Sequence, residues 1–166
     1  MVSEPINIRS QVLQILERVT DPEIPVLTIS DLGVVRGVEI LGDDIEVTIT
    51  PTYSGCPAMK EIEWGIKTEL LAAGFPNVKV ITKLSPAWTT AWLTEAGKLK
   101  LKEYGIAPPD QDTEDKMSIM GSRKSIQCPQ CQSNNTELIS QFGSTACKSL
   151  YRCLDCLEPF DYFKCH

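Results

Sequence analysis

Apolar residues recur at helical spacing near the start of the chain, at Ile8, Val12, Ile15, Leu16 and Val19. That pattern predicts an amphipathic helix with one face turned to a core, stopping before Asp21-Pro22. The period then changes to two. Ile45, Val47 and Ile49 alternate with Glu46, Thr48 and Thr50, and with residues 34–40 they predict a hairpin turning at Gly42-Asp43-Asp44. Helical spacing returns at Met59, Ile62, Ile66 and Leu70, with Pro57 suited to the first helical position, Cys56 at the N-cap and Gly74 beyond the end. Residues 78–84 predict a third strand. Residues 91–104 predict a third helix, capped by Thr89 or Thr90 and closed by Gly105. The order αββαβα gives an α/β (α+β) domain of about 100 residues, a small mixed sheet with helices packed against it.

The remaining third of the chain is organised by sulfur. Cys128-Pro129-Gln130-Cys131 and Cys153-Leu154-Asp155-Cys156 are two matched Cys-x-x-Cys turns, each able to aim two thiolates at one ion. The 21 residues between them suffice for a small antiparallel sheet and lie just beyond the usual zinc-ribbon gap. A disulfide framework is the plainer alternative. The start MVSEPINIRSQ has no basic and apolar leader pattern, so a reducing cytoplasmic setting and a metal site are expected. Four thiolates can hold zinc, a single iron or an iron-sulfur cluster, and zinc is the favoured reading. Cys147, Cys165 and the only histidine, His166, could add a ligand or a weaker site; Cys147 reads first as a small apolar side chain. So short a segment cannot bury much core, and its metal should supply most of its folding free energy.

Six of the seven cysteines follow residue 127, so two units are expected: residues 1–107, an acidic Pro-containing linker over 108–122, and a zinc ribbon over 123–166. The paired Pro108-Pro109 and the acidic run after them can neither extend a helix nor bury a face, which lets the two units fold separately. The formal net charge of -6 and the lack of a basic run argue against nucleic-acid binding. No apolar run approaches the roughly 18 residues of a membrane span.

Within the first unit, Cys56 is the only thiol. At a helix start it would feel the positive end of the helix dipole, which favours thiolate and makes it a candidate reactive residue or metal ligand. The plainer reading is a small side chain that begins a helix. Asp21 and Glu23, around Pro22, could line a site or remain solvated turn residues. Trp88 and Trp92 read as core. A chain with one histidine cannot supply the two Glu-x-x-His motifs of a di-iron bundle or a histidine-based hydrolase triad, and it carries no P-loop or Gly-x-Gly-x-x-Gly. A helper rather than a free-standing enzyme is expected.

Asp21-Pro22-Glu23-Ile24-Pro25, Ser30-Asp31-Leu32-Gly33-Val34-Val35, Thr50-Pro51-Thr52-Tyr53-Ser54-Gly55-Cys56-Pro57 and Ser85-Pro86-Ala87-Trp88-Thr89, in that order, resemble the SufT-like family of iron-sulfur assembly proteins. The resemblance implies a small α/β domain that helps mature iron-sulfur proteins, with the Gly-Cys-Pro cysteine, here Cys56, as its reactive residue. Ordinary members of that family lack a ribbon. Residues 142–148 and 158–165 are instead similar to the tail of the D-subunit family of bacterial phenylacetyl-CoA epoxidases, the multicomponent ring 1,2-epoxidases of aerobic phenylacetate degradation. That resemblance implies a non-catalytic or maturation role beside a di-iron oxygenase subunit and a reductase carrying flavin and an iron-sulfur cluster.

The expected function is therefore an accessory subunit that delivers iron or an iron-sulfur cluster. Cys56 would be the transient ligand, Asp21, Glu23 and Thr50 its polar neighbours, and Cys128, Cys131, Cys153 and Cys156 the ligands of a structural Zn(II). One thiolate cannot retain a cluster that needs four ligands, so a second copy, an iron-sulfur assembly protein, a small thiol or the client must supply the rest. The alternative is a zinc-containing scaffold that only holds epoxidase subunits together. A thiol redox protein using Cys128 and Cys131 is weaker, because it leaves the second cysteine pair unexplained.

Overall fold

The computed structural model describes residues 7–109 and 125–164. The chain forms two compact units, Met1–Trp88 and Thr89–His166.

In the first unit, helix α1 (Ile8–Leu16) starts at Asn7, whose side chain accepts the Arg9 N–H at 3.1 Å, and turns Val12, Ile15 and Leu16 inward. Strands β1 (Val35–Leu41) and β2 (Asp44–Ile49) pair antiparallel through the expected hairpin, with Gly42 at φ +66°. Val38 opposes Val47 and Ile40 opposes Ile45, so the alternation read from the sequence becomes one apolar face. Helix α2 (Ala58–Ala72) buries Ala58, Ile62, Ile66 and Leu70, a spacing of four that keeps them on one side. It is the crossover that a parallel pair requires, and β3 (Val78–Thr82) duly runs parallel to β2. The sheet order is β1-β2-β3, with α1 against α2 and β1, and α2 against β3. Trp88 is buried and its Nε1–H donates to the Leu32 carbonyl at 2.7 Å, tying the end of the unit to the loop before β1.

The second unit holds a 3-10 turn over Thr90–Trp92, α3 (Glu95–Tyr104), β4 (Ile106–Ala107), β5 (Thr136–Ser140), β6 (Lys148–Cys153) and β7 (Pro159–Phe163). Its sheet order is β4-β7-β6-β5, with β4 parallel to β7 and the other pairs antiparallel. The mixed α/β class and the four-cysteine sheet module are as expected. The third helix is not continuous from residue 91. Leu93 is extended and buried, and Thr94 caps α3 by accepting the Gly97 N–H at 3.0 Å, so Thr94 takes the part expected of Thr89 or Thr90. Gly105 closes the helix at φ +91°, as expected.

The compact units divide at a different place from the expected 1–107 and 123–166. Segment 89–107 groups with the ribbon because β4 pairs with β7 and Ala107 joins the apolar cluster of Ile126, Cys128, Tyr151, Cys153 and Phe160. Of the expected linker, residues 110–122 lie outside the described residues, as do Cys165 and His166.

Candidate metal centre and thiol site

The two knuckles are the same turn built twice. In the first, the Cys128 N–H donates to Ser133 O at 2.9 Å, and Gln132, four residues after Cys128, takes φ +64°. In the second, the Cys153 N–H donates to Glu158 O at 3.0 Å, and Leu157, four residues after Cys153, takes φ +65°. Two non-glycine residues in the left-handed region at equivalent places mark a backbone bent to a purpose. Its result is that the four sulfur atoms lie within 4.8 Å of one another, with Cys131 Sγ and Cys153 Sγ 3.5 Å apart and Cys128 Sγ and Cys156 Sγ 3.7 Å apart. A tetrahedral ion with metal–sulfur bonds of about 2.3 Å has edges of about 3.8 Å, so the donor set fits zinc in both chemistry and span.

The thiols are unequal. N–H groups of Cys156 and Asp155, with help from the neighbouring thiols of Cys131 and Cys156, draw Cys153 down to about 7 despite its burial. For Cys156, a bond from the Glu158 N–H favours thiolate, but burial and the adjacent thiols outweigh it and push the group up to about 12. Four sulfurs this close cannot all ionise without a cation among them, and a divalent metal would supply it. Cys147 is buried and is not among the four clustered thiols, and its sulfur lies 3.1 Å from Thr145 Oγ1.

The second candidate site is at the start of α2. Pro57 occupies the N-cap position with helical dihedrals, φ -67° and ψ -25°, and Cys56 stands one residue earlier than expected. Its half-buried thiol still does a cap's work, taking a hydrogen bond from the Ala58 N–H, and a second comes from the Tyr53 side chain. The expected depression of its pKa is not found. Burial pushes the Cys56 thiol up, the bonds from Ala58 and Tyr53 oppose this only in part, and the charges of Glu23 and Asp21 push it further up. Desolvation, with the two carboxylates adding to it, therefore outweighs the hydrogen bonds that the helix start and Tyr53 offer the thiolate.

Asp21 and Glu23 lie near enough to Cys56 for their charges to act on its thiol. Asp21 is buried and builds its own turn, Oδ1 accepting the N–H groups of Glu23 and Ile24, each at 2.8 Å. Glu23 is half-buried. Thr50 is buried just past β2, with its N–H donating to Val34 O at 2.8 Å. Tyr53 is the site residue that sequence reasoning misses; its one signal is a place three residues before Cys56 in the same motif. Trp88 is core, as expected, and Trp92 is half-buried. No helix of the described residues is long and apolar enough to cross a membrane.

Comparison with known proteins divides along the same lines. Residues 9–80 match the family model described as iron-sulfur cluster assembly protein, and residues 112–164 match the PaaD zinc beta ribbon domain. The chain is 48% identical over 155 residues to the D subunit of the putative 1,2-phenylacetyl-CoA epoxidase of Escherichia coli (strain K12), covering 93% of this chain and 92% of that one. It is 30% identical over 103 residues to an Fe-S protein maturation auxiliary factor of Porphyromonas gingivalis (strain ATCC BAA-308 / W83), covering 61% of this chain and 97% of that one. Among solved structures, the domain of unknown function DUF59 from Bacillus anthracis superposes with a TM-score of 0.52 at 26% identity, over 56% of this chain and 90% of that one.

Proposed function

Because the chain belongs to the D-subunit family of phenylacetyl-CoA epoxidases, we propose that it is a maturation subunit that passes iron or an iron-sulfur cluster to the other components of that system. The observation that carries this reading is a half-buried Cys56 thiol that feels the charges of Asp21 and Glu23, in the unit that matches iron-sulfur assembly proteins. Burial, with the two carboxylates adding to it, makes the thiol hold its proton more firmly than an ordinary cysteine does, and the same negative charges draw a cation in. An arriving iron displaces the thiol proton and gains a soft ligand; when the iron leaves, the proton returns. Ligation that must displace a tightly held proton is weak, which suits a carrier better than a store. The cargo's remaining ligands come from a donor, a client or a second copy, since one thiolate cannot hold a cluster alone. The ribbon, with zinc on Cys128, Cys131, Cys153 and Cys156, serves as the docking module.

The scaffold reading keeps one supporting observation: a half-buried, protonated thiol is also what an inert structural cysteine looks like. Cys56→Ser separates the two. Serine can accept the Ala58 N–H in the same place, so the turn persists, while the soft ligand is lost. Epoxidase components produced beside the serine variant should contain less iron and turn over more slowly, with subunit binding unchanged. Normal iron content and activity across a range of iron supply would make the scaffold the better account.

A further inference from the structure

The two knuckles are joined by more than a shared metal. Asp155 lies between Cys153 and Cys156, and both its carboxylate oxygens reach residues just past the other knuckle: Oδ2 accepts from Ser133 Oγ–H, and Oδ1 accepts from Asn135 Nδ2–H at 2.8 Å. Ser133 Oγ also accepts the Asn135 N–H at 3.0 Å. The backbone extends the chain of bonds on both sides. Cys128 donates to Ser133 O at 2.9 Å, and Leu154, next to Cys153, donates to Asn135 O at 2.8 Å. A connected network thus runs from the backbone of a ligand in the first knuckle to the residues between the ligands of the second.

We propose that Asp155, with Ser133 and Asn135, forms a clasp that sets how fast the ribbon gives up its metal. The proposal rests on the metal reading of the four cysteines. Release begins when one knuckle swings away and its thiolates leave the ion. A clasp spanning both knuckles keeps those thiolates within rebinding distance and shortens each opening. Asp155 and Asn135 are exposed and Ser133 is half-buried, so the clasp draws its strength from charge-assisted bonds, which are stronger than neutral ones, made by one carboxylate to two partners at once. Asp155 is a positioning residue, acting through the backbone of Cys153 and Cys156, and is not itself a ligand.

The test is the rate at which the zinc-loaded full chain loses zinc to an excess of a chromophoric chelator. Asp155→Ala should speed release by about tenfold or more, the range seen when groups supporting metal ligands are removed. Asp155→Asn, which keeps one acceptor oxygen, should fall between. Ser133→Ala with Asn135→Ala should match Asp155→Ala, and all three together should be no faster, because a clasp can be opened only once. Cobalt(II) loaded in place of zinc should give the same thiolate-to-metal absorption in every variant, since the ligand set is untouched. Should Asp155→Ala fail to fold, the Ser133 and Asn135 variant carries the same test. Release within about twofold of the parent, or effects that multiply across the three sites, would overturn the clasp. A parent chain that takes up no zinc would overturn the metal reading as well.

Discussion

Ala107 stands beside Tyr162 in the parallel pairing of β4 with β7, and so the chain just after α3 is a strand of the ribbon's sheet. The strand is only two residues long, Ile106 and Ala107, both buried. Ala107 shares an apolar cluster with Cys128 and Cys153 of the four-cysteine cage. A ten-residue helix followed by a two-residue strand has too little cooperative length to persist alone, so α3 and β4 depend on the ribbon that receives them.

Metal removal should therefore unfold more than the cysteine-rich tail. A chelator, or Cys153→Ser, is expected to open amides throughout segment 89–107 together with the ribbon, while α1, α2 and β1–β3 keep their protection. Hydrogen exchange read by mass spectrometry locates that boundary. This differs from the division expected from the acidic linker, under which residues 1–107 stay folded. Protection of α3 that survives loss of the metal would restore the linker boundary.

The centre itself should hold one zinc per chain, and the isolated protein should be colourless. Metal analysis and an absorption spectrum check both. A visible thiolate-to-iron band with stoichiometric iron and no zinc would assign the cage to iron instead.

What the sequence makes legible is local. Ile45, Val47 and Ile49 announce a strand by alternation, Ile62, Ile66 and Leu70 a helix by spacing, and the Cys-x-x-Cys pairs a cage, because each pattern repeats within a few residues. Ile106-Ala107 has no periodicity to show; it is a strand only because β7 lies alongside. Thr89, Thr90 and Thr94 are equally good caps on paper, and the extended backbone of Leu93 selects the last. Ser133, Asn135 and Asp155 look like ordinary turn residues until the fold closes them on one another. The proton affinity of Cys56 runs opposite to the helix-terminus expectation for the same reason: burial and the nearby carboxylates are products of folding.

Trp88→Phe should cost about 1–3 kcal/mol, the penalty for leaving the buried partner of a lost hydrogen bond unsatisfied. Phenylalanine fills most of the space but cannot donate to Leu32 O, which the Trp88 Nε1–H now meets at 2.7 Å. Thermal or urea unfolding of the first unit should show the loss. Unfolding of the ribbon, followed by its zinc release, should be unchanged. Equal stability in parent and variant would mean that water replaces the indole at Leu32.

Alkylation of Cys56 should rise with pH through an apparent pKa above that of an ordinary thiol. Burial raises it, and Glu23 and Asp21 add to the effect through their negative charge. The sign is definite: the thiolate is the form that burial and nearby carboxylates disfavour, so neutral solution holds mostly thiol and reactivity grows toward alkaline pH. Glu23→Gln should move the profile to lower pH and speed alkylation at a fixed neutral pH. Asp21→Asn should act in the same direction and, through its remaining carbonyl oxygen, can keep the turn bonds to Glu23 and Ile24. Rates of reaction with iodoacetamide, followed by mass spectrometry at Cys56 in the zinc-loaded chain so that the ribbon thiols are masked, measure all three profiles. A parent profile centred below the ordinary thiol range would restore the helix-terminus argument and remove the proton-displacement step from the proposed iron transfer.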